Sequence, residues 1–260
     1  MNQEIIEVID DGVGLITLNR PESLNALNPP MMRALTETAV RLAEDQLVRC
    51  VVVTGAGKGF CAGGDVKASG RAASQEIEQD NKSDKRARSV EEKTAWLRRS
   101  MEASRILHQM KKPTIAMING ACAGAGLSLA GACDFRFCNR SARFVSAFAR
   151  GGLSGDYGGS WFWSRILGTA RARELYMLGE KLNAQQALEM GLVHRVYEDT
   201  DLQSMTMSLA KQLARLPGEG LAYMKENLNA AETSSLEEVF DLEAKNMMLS
   251  RKSLNDLARK

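Results

Sequence analysis

Two glycine-rich segments, 57–67 and 119–130, hold the backbone best suited to chemistry in this chain. Each follows a short apolar run, 50–54 and 114–118, so each reads as a strand that exits into a tight turn. Glycine carries no Cβ, which lets a ligand come close to the N–H groups of such a turn. The second turn runs into small residues from Ala125 to Ala132. That pattern predicts a buried helix whose first N–H groups are unsatisfied and whose N-terminus is electropositive. Two such turns facing one another would hold an oxyanion between a pair of backbone amides, which suits chemistry at a carbonyl or a thioester. Taken singly, each also has a plainer reading. The first is an ordinary turn in which Asp65 caps a helix near Val66, and the second is close helix–strand packing through Gly124 and Gly126. Neither fits a dinucleotide fingerprint or a P-loop, because the acidic partner and the Gly-Lys-Ser/Thr run are missing.

The elements that must position these turns alternate between strand and helix. Residues 5–9 and 14–19 read as two strands joined through Asp10-Asp11-Gly12, a hairpin signal. Pro29-Pro30 stands where a helix would start, ahead of a periodic apolar run over 31–42. The charged stretch 67–88 has too little apolar content to bury and reads as a mobile loop or frayed helix. Trp96, Met101, Ile106, Leu107 and Met110 recur near helical spacing and predict one helix ending before Pro113. Strands are expected at 114–118, 134–138 and, more briefly, 144–148. Beyond Gly158 the pattern turns helical, with helices at 159–167, 170–178, 183–190 and 201–216 and two more up to about Arg251. Asn183 is a cap candidate, with Gln186 at the third following position. The organisation expected is an α/β core over 1–195 and a helical C-terminal region over 196–260 that docks onto the core or onto a partner subunit.

Composition narrows the partners. Lys and Arg number 34 against 32 Asp and Glu, a formal net charge of +2, which argues against a broad nucleic-acid surface. No apolar run is long enough for a membrane span, and the first residues lack a signal peptide's basic and apolar regions. The five cysteines show no zinc spacing, and His108 and His194 have no evident triad partner. No metal site is expected. Reduced, buried thiols in a cytoplasmic protein are the reading.

Read together, Asn19-Arg-Pro21, Leu24-Asn-Ala-Leu27, Gly59-Phe-Cys-Ala-Gly-Gly-Asp65, Lys112-Pro113, Ile118-Asn-Gly120, Ala123-Gly-Ala-Gly126, Cys133-Asp134 and the run from Ala187 to Val193 resemble the crotonase, or enoyl-CoA hydratase/isomerase, family. The resemblance covers nearly the whole chain in order, which is far more specific than any one motif. It implies a ClpP-like spiral of ββα units with a helical C-terminal trimerisation region, a homotrimer or hexamer, and acyl-CoA thioester substrates. No cofactor is implied, since CoA is part of the substrate. Carried over by position, the oxyanion donors are the amides of Gly64 and Ala125. The CoA adenine falls near Ala26, Ala62 and Val66, with Gly63, Asp65, Ser128 and Phe148 among the substrate contacts.

The departures choose the chemistry. Ser128 and Phe148 stand at the two positions where the family's hydratases carry glutamates, and neither can act as a carboxylate base. One carboxylate does fall where the family's double-bond isomerases often carry Asp or Glu: Asp156, within 151–159. Locally, Asp156 also reads as a solvated loop aspartate or as a cap for a helix starting near Gly158. The resemblance is closest to the isomerases of phenylacetate breakdown, through 152–159, 168–172 and 230–233. The expectation is therefore an acyl-CoA isomerase that moves a double bond, or opens a ring epoxide, through Asp156. A hydratase using a non-standard route and a non-catalytic acyl-CoA-binding protein are the alternatives. The aromatic residues 161–163 read equally as an aryl pocket or as a helix packing face. Ser128, mid-helix, is expected to bond back to a carbonyl.

Overall fold

Strands β1 (Ile5–Asp10) and β2 (Val13–Leu18) pair antiparallel from Ile5↔Leu18 to Asp10↔Val13. Their two-residue turn sets Asp11 and Gly12 at φ of 47° and 76°, left-handed conformations whose twist matches that of the strands. The computed structural model describes residues 3–65 and 89–258; Val66 and the stretch 67–88 lie outside the described residues.

From Cys50 to Val145 the chain lays down strands for two sheets in alternation. Strands β3 (Cys50–Gly55), β5 (Thr114–Ile118) and β7 (Phe135–Asn139) extend the hairpin as parallel neighbours, and β10 (Arg195–Tyr197) completes the order β1-β2-β3-β5-β7-β10. Strands β4 (Gly59–Cys61), β6 (Ala121–Ala123), β8 (Arg143–Val145) and β9 (Leu182–Asn183) form the second sheet in that order. Each of β3, β5 and β7 therefore passes straight into a short partner in the other sheet, and helices follow before the next pair. Helices α2 (Val90–Ser100) and α3 (Glu102–Gln109) follow β4, α4 (Ala125–Gly131) follows β6, and α5 (Gly159–Leu167) follows β8. Helix α1 (Pro29–Glu44) follows the hairpin, with Asn28 as its cap accepting from Met31 N at 2.8 Å. This is the spiral of ββα units that the resemblance implies.

Strands β3 and β5 are buried throughout because both faces of the large sheet are covered. Val51, Val53, Ala116 and Ile118 belong to the core shared with the small sheet and α1. On the other face Val13, Cys50, Val52, Ile115, Met117 and Phe137 lie beneath helix α8 (Leu202–Arg215), which contributes Leu202, Ala210 and Ala214. Residues beyond 195 thus take part in the packing of the sheet. Helix α9 (Gly218–Ala231) is tied down by Lys225, whose buried ammonium donates to Leu107 O (3.2 Å), Lys112 O (3.1 Å) and Asp134 Oδ2 (2.8 Å). Helix α10 (Leu236–Ala258) packs along α9, where Asn246 donates to Asn227 Oδ1 at 2.7 Å.

Three expectations need correction. The single helix through Trp96 and Met110 is two helices, divided at Met101, and α2 opens on a Ser89–Glu92 capping box. The strand expected over 144–148 stops at Val145, because Ala147 turns into a left-handed conformation at φ 60°. The helix expected over 170–178 is α-helical only over Thr169–Arg173 (α6), then widens into a π-helical turn over Glu174–Leu178 that Gly179 ends at φ 59°. Helix α7 (Ala184–Met190) does carry the expected box, with Asn183 and Gln186 exchanging two 2.9 Å bonds. All five cysteines are buried and free.

Candidate active site

The first glycine turn leaves β4 at Cys61 and is bound edge-on to the segment that precedes α1. Leu27 N donates to Gly63 O (2.7 Å) and Leu27 O accepts from Asp65 N (3.0 Å). In such a parallel bridge the central residue's own groups face the other way, so the Gly64 N–H points away from Leu27. The Gly63 N–H is turned toward the Cys61 sulfur. Two side chains brace the turn. Arg20 donates to Ala26 O at 2.6 Å and pairs with Asp65 at 3.0 Å. Asn25, fully buried and left-handed at φ 58°, donates to Ala56 O (2.9 Å) and Gly59 O (2.7 Å) and accepts from Arg20 N (2.8 Å). From across the sheet Asn119 donates to Gly55 O at 2.7 Å and Gly57 O at 3.0 Å.

The second turn pivots on Gly124, at φ 49° and ψ −122°, a conformation that favours glycine. Its N–H donates to Val145 O at 3.1 Å and its carbonyl accepts from Ser128 N at 3.1 Å. The next amide, that of Ala125, opens helix α4 and has no intrahelical acceptor. Helix α4 lies directly on β4: a methyl group at Gly126 would sit 2.3 Å from Cys61 O. The turns meet at their glycines. A methyl at Gly63 would lie 3.1 Å from Ala123 O and 3.5 Å from Ala125 N. The arrangement sets the first glycine turn, at Gly63, against the amide that opens α4.

Asp156 enters on a third turn, in which Gly152, Gly155, Tyr157 and Gly158 all have positive φ, from 51° to 109°. Tyr157 is 1% exposed and anchors the turn in the core. The Asp156 carbonyl accepts from Gly159 N at 3.1 Å as α5 begins. Its carboxyl is more enclosed than a loop aspartate would be. Oδ1 is buried and has no hydrogen-bond partner among the described residues, and burial pushes the pKa up from 3.8 to about 6. Phe148 joins this turn to the second glycine turn. One edge of its ring is 3.9 Å from where a Gly124 methyl would be, and the other is 3.9 Å from the same point on Gly155.

The remaining expected residues fall around this centre. Ser128 is fully buried one turn into α4, and its hydroxyl bonds back to Gly124 O at 3.4 Å. Ala26 and Ala62 are half-buried along the first turn, and Val66 lies outside the described residues. The aryl-pocket reading of 161–163 gives way to packing. Trp163 is fully buried against Gly131, Phe162 touches the same glycine, and both Trp161 and Phe162 meet the His108 ring edge-on at 5.2 Å. His108 also contacts Glu232 at 3.2 Å, and His194 accepts from Arg136 N at 3.1 Å, so both histidines have structural partners. No cluster of three or more metal-ligating side chains occurs among the described residues. Sequence reasoning missed the bracing roles of Arg20 and Asn25, and it missed Tyr176, whose ring stacks on Phe148 at 5.7 Å and 21°. A lone tyrosine in a helical stretch gives no local signal of this.

With two facing amide turns and a half-buried carboxyl on a ββα spiral, the comparisons are consistent. The family model for enoyl-CoA hydratase/isomerase matches residues 8–255, and the chain belongs to that family. It is 38% identical to a 1,2-epoxyphenylacetyl-CoA isomerase of Escherichia coli K12 over 253 residues, covering 97% of this chain and 92% of the relative. It is 32% identical to a trans-2-decenoyl-[acyl-carrier-protein] isomerase of Streptococcus mutans, covering 93% and 87%. The crystal structure of an enoyl-CoA hydratase from a Polaromonas species superposes with a TM-score of 0.82 at 33% identity, covering 94% of this chain and 90% of that one.

Proposed function

We propose that this chain is an acyl-CoA isomerase in which the Gly64 and Ala125 amides hold the thioester oxygen and Asp156 carries a proton from the α- to the γ-carbon. The observation that carries this reading is the half-buried Asp156 carboxyl, whose Oδ1 is buried and unpartnered among the described residues, on a turn that Phe148 joins to the second glycine turn. Negative charge forms on the thioester oxygen when the α-proton leaves, and two preorganised N–H donors stabilise it there. One such donor is typically worth about 3–4 kcal/mol to a transition state. With a pKa near 6 the carboxylate is ionised at neutral pH yet basic enough to accept the proton and hand it back to the γ-carbon. Ser128 and Phe148 supply no second carboxylate, which disfavours water addition by a two-carboxylate route.

Opening of a ring epoxide is the second reading, favoured by the name of the E. coli relative. In either case CoA enters as part of the substrate, and Ala26, Ala62, Gly63, Asp65 and Val66 are the residues we assign to its side of the site. The exposed apolar residues Leu228, Phe240, Met247 and Met248 on the two last helices suit a homotrimer or hexamer. No helix among the described residues is long and apolar enough to cross a membrane, and five free thiols accord with a cytoplasmic location. The test is turnover of 3-hexenoyl-CoA, followed by the absorbance of the conjugated 2-enoyl thioester. Asp156→Asn is expected to lose nearly all activity while binding hexanoyl-CoA as before. Undiminished turnover in that variant would overturn the proposal, and hydration of 2-hexenoyl-CoA by the unaltered protein would favour the hydratase alternative.

A further inference from the structure

The turn that carries Asp156 does little to fix its own shape. Gly152, Gly155 and Gly158 have positive φ and Gly159 follows, and glycine leaves a backbone freer than any other residue. Tyr176 supplies a constraint from outside. A methyl group at Gly155 would fall 3.2 Å from its Cε1, and one at Gly159 would fall 2.0 Å from its Oη. The ring therefore lies along the turn and touches it on both sides of Asp156. Its face stacks on Phe148, and its backbone is tied down where Tyr176 O accepts from Ser146 Oγ at 3.3 Å. The π-helical turn Glu174–Leu178 presents the ring in this way, with Leu175 buried in the core. The hydroxyl end of the ring meets helix α4. The same Gly159 point lies 2.2 Å from Ser128 Oγ, so the two hydroxyls come together there. Ser128 bonds back to Gly124 O at 3.4 Å, and Gly124 immediately precedes the Ala125 amide. Contacts thus run from the Asp156 turn through Tyr176 and Ser128 to the start of α4.

We propose that Tyr176 and Ser128 are positioning residues that fix the Asp156 carboxyl relative to the Ala125 amide. The proposal rests on the reading of Asp156 as the proton carrier. In that reaction the carboxylate removes a proton from the α-carbon and the C–H electrons pass into the enolate. The same proton then returns to the γ-carbon as the double bond moves into conjugation. One carboxyl must therefore reach two carbons of an ester whose oxygen is held at α4. Such reach is set by distance, and a misplacement of about 1 Å is enough to cost about a hundredfold in rate. Loosening the turn should harm delivery to the γ-carbon more than removal from the α-carbon, because the α-carbon adjoins the thioester carbon whose oxygen is held. A carboxyl that delivers slowly trades its proton with solvent, and the enolate then takes solvent hydrogen back at the α-carbon.

Turnover of 3-hexenoyl-CoA by the full-length protein in D2O tests this. Isomerisation is followed by the absorbance of the conjugated product, and α-exchange by mass spectrometry of the recovered 3-hexenoyl-CoA. Tyr176→Leu is expected to lower kcat about a hundredfold, to keep KM within about threefold and to raise the ratio of α-exchange to isomerisation by about fivefold or more. Tyr176→Phe keeps the ring and loses only the contact with Ser128, so kcat should fall about threefold to tenfold with a smaller rise in the ratio. Ser128→Ala should do the same, and the two together should do no more than either alone, since both remove one contact. A general loss of structure lowers exchange and isomerisation in step. An unchanged ratio in all these variants therefore overturns the proposal, as do losses from Tyr176→Phe and Ser128→Ala that multiply. If Tyr176→Leu does not fold, the ratio in Tyr176→Phe and in the double variant decides. Asp156→Asn should lose exchange and isomerisation together, and a variant that keeps both refutes the proton carrier itself, a result distinct from the others.

Discussion

Phe148 lies nearly parallel to Tyr176, their ring centroids 5.7 Å apart, and the Phe148 edges reach both the Gly124 turn and the Gly155 turn. One ring therefore walls the amide that opens α4 and the turn that carries Asp156. Phe148 is 7% exposed, and the rise in the Asp156 pKa comes from burial alone.

Opening that wall should return the carboxyl to water. In the unaltered protein the ionised form is the base, so kcat/KM should rise as pH increases through about 6 and level off above it. In Phe148→Ala the rising limb should move down toward the ordinary carboxylate value of 3.8. A pH–rate profile for 3-hexenoyl-CoA reads the shift, and a limb that stays near 6 would show that Phe148 does not shield Asp156. The same truncation should cost about 3–5 kcal/mol of stability, measurable by urea denaturation.

Asp156 should also make the fold less stable as rising pH ionises it against its environment. Its pKa is raised in the folded protein, so between about 4 and 6 the native state binds more protons than the unfolded chain. Stability then falls as pH rises through that window and is flat above it. Asp156→Asn removes the dependence. Allowing for partial solvent access, the variant should be about 1–2 kcal/mol more stable than the unaltered protein at pH 7.5, with no difference below pH 4. Paired urea melts at the two pH values check the sign.

The order of elements and the two amide turns were legible because glycine spacing after apolar runs is a local signal. Gly63 and Gly124 need positive φ, and Gly126 needs the space that Cys61 O would otherwise deny. Ser128 bonding back to Gly124 was legible for the same reason, since i to i−4 geometry is set within one helix. What the sequence did not reveal depends on distant packing. The widening at Glu174 and the pairing of Tyr176 with residues 28 and 48 positions earlier, Phe148 and Ser128, follow from how α5 and the π turn dock, and no local pattern records that. The break at Met101 likewise depends on how the two helices meet the core.

Asn25 shows how one side chain can hold a loop from behind. It is fully buried and holds the carbonyls of Ala56 and Gly59 with one amide group while accepting from Arg20 N. Asn25→Ala leaves the buried Gly59 carbonyl and the half-buried Ala56 carbonyl without that donor and puts alanine at φ 58°. A loss of about 2–4 kcal/mol is expected in urea denaturation, at the upper end of what a few broken buried bonds cost. Because the first glycine turn hangs on this loop through Leu27, KM for acyl-CoA should rise with the loss of stability. An unchanged KM in a destabilised variant would separate the loop from the ligand.

The amide of Ala125 can be removed without touching any side chain that the fold needs. Ala125 is the first residue of α4, and proline is well tolerated at a first helical position because its missing N–H has no intrahelical acceptor to lose. The preceding residue is Gly124, the residue type least restricted before a proline. Ala125→Pro therefore deletes one N–H donor and keeps the helix. If that N–H stabilises the enolate oxygen, kcat/KM for 3-hexenoyl-CoA should fall by roughly a hundredfold to a thousandfold. Ala125→Gly, which keeps the N–H, should stay within a few-fold of the unaltered protein, and circular dichroism should show the same helix content in both. Equal activity in the glycine and proline variants would remove Ala125 from the oxyanion site and leave the binding of the thioester oxygen to other donors at the start of α4.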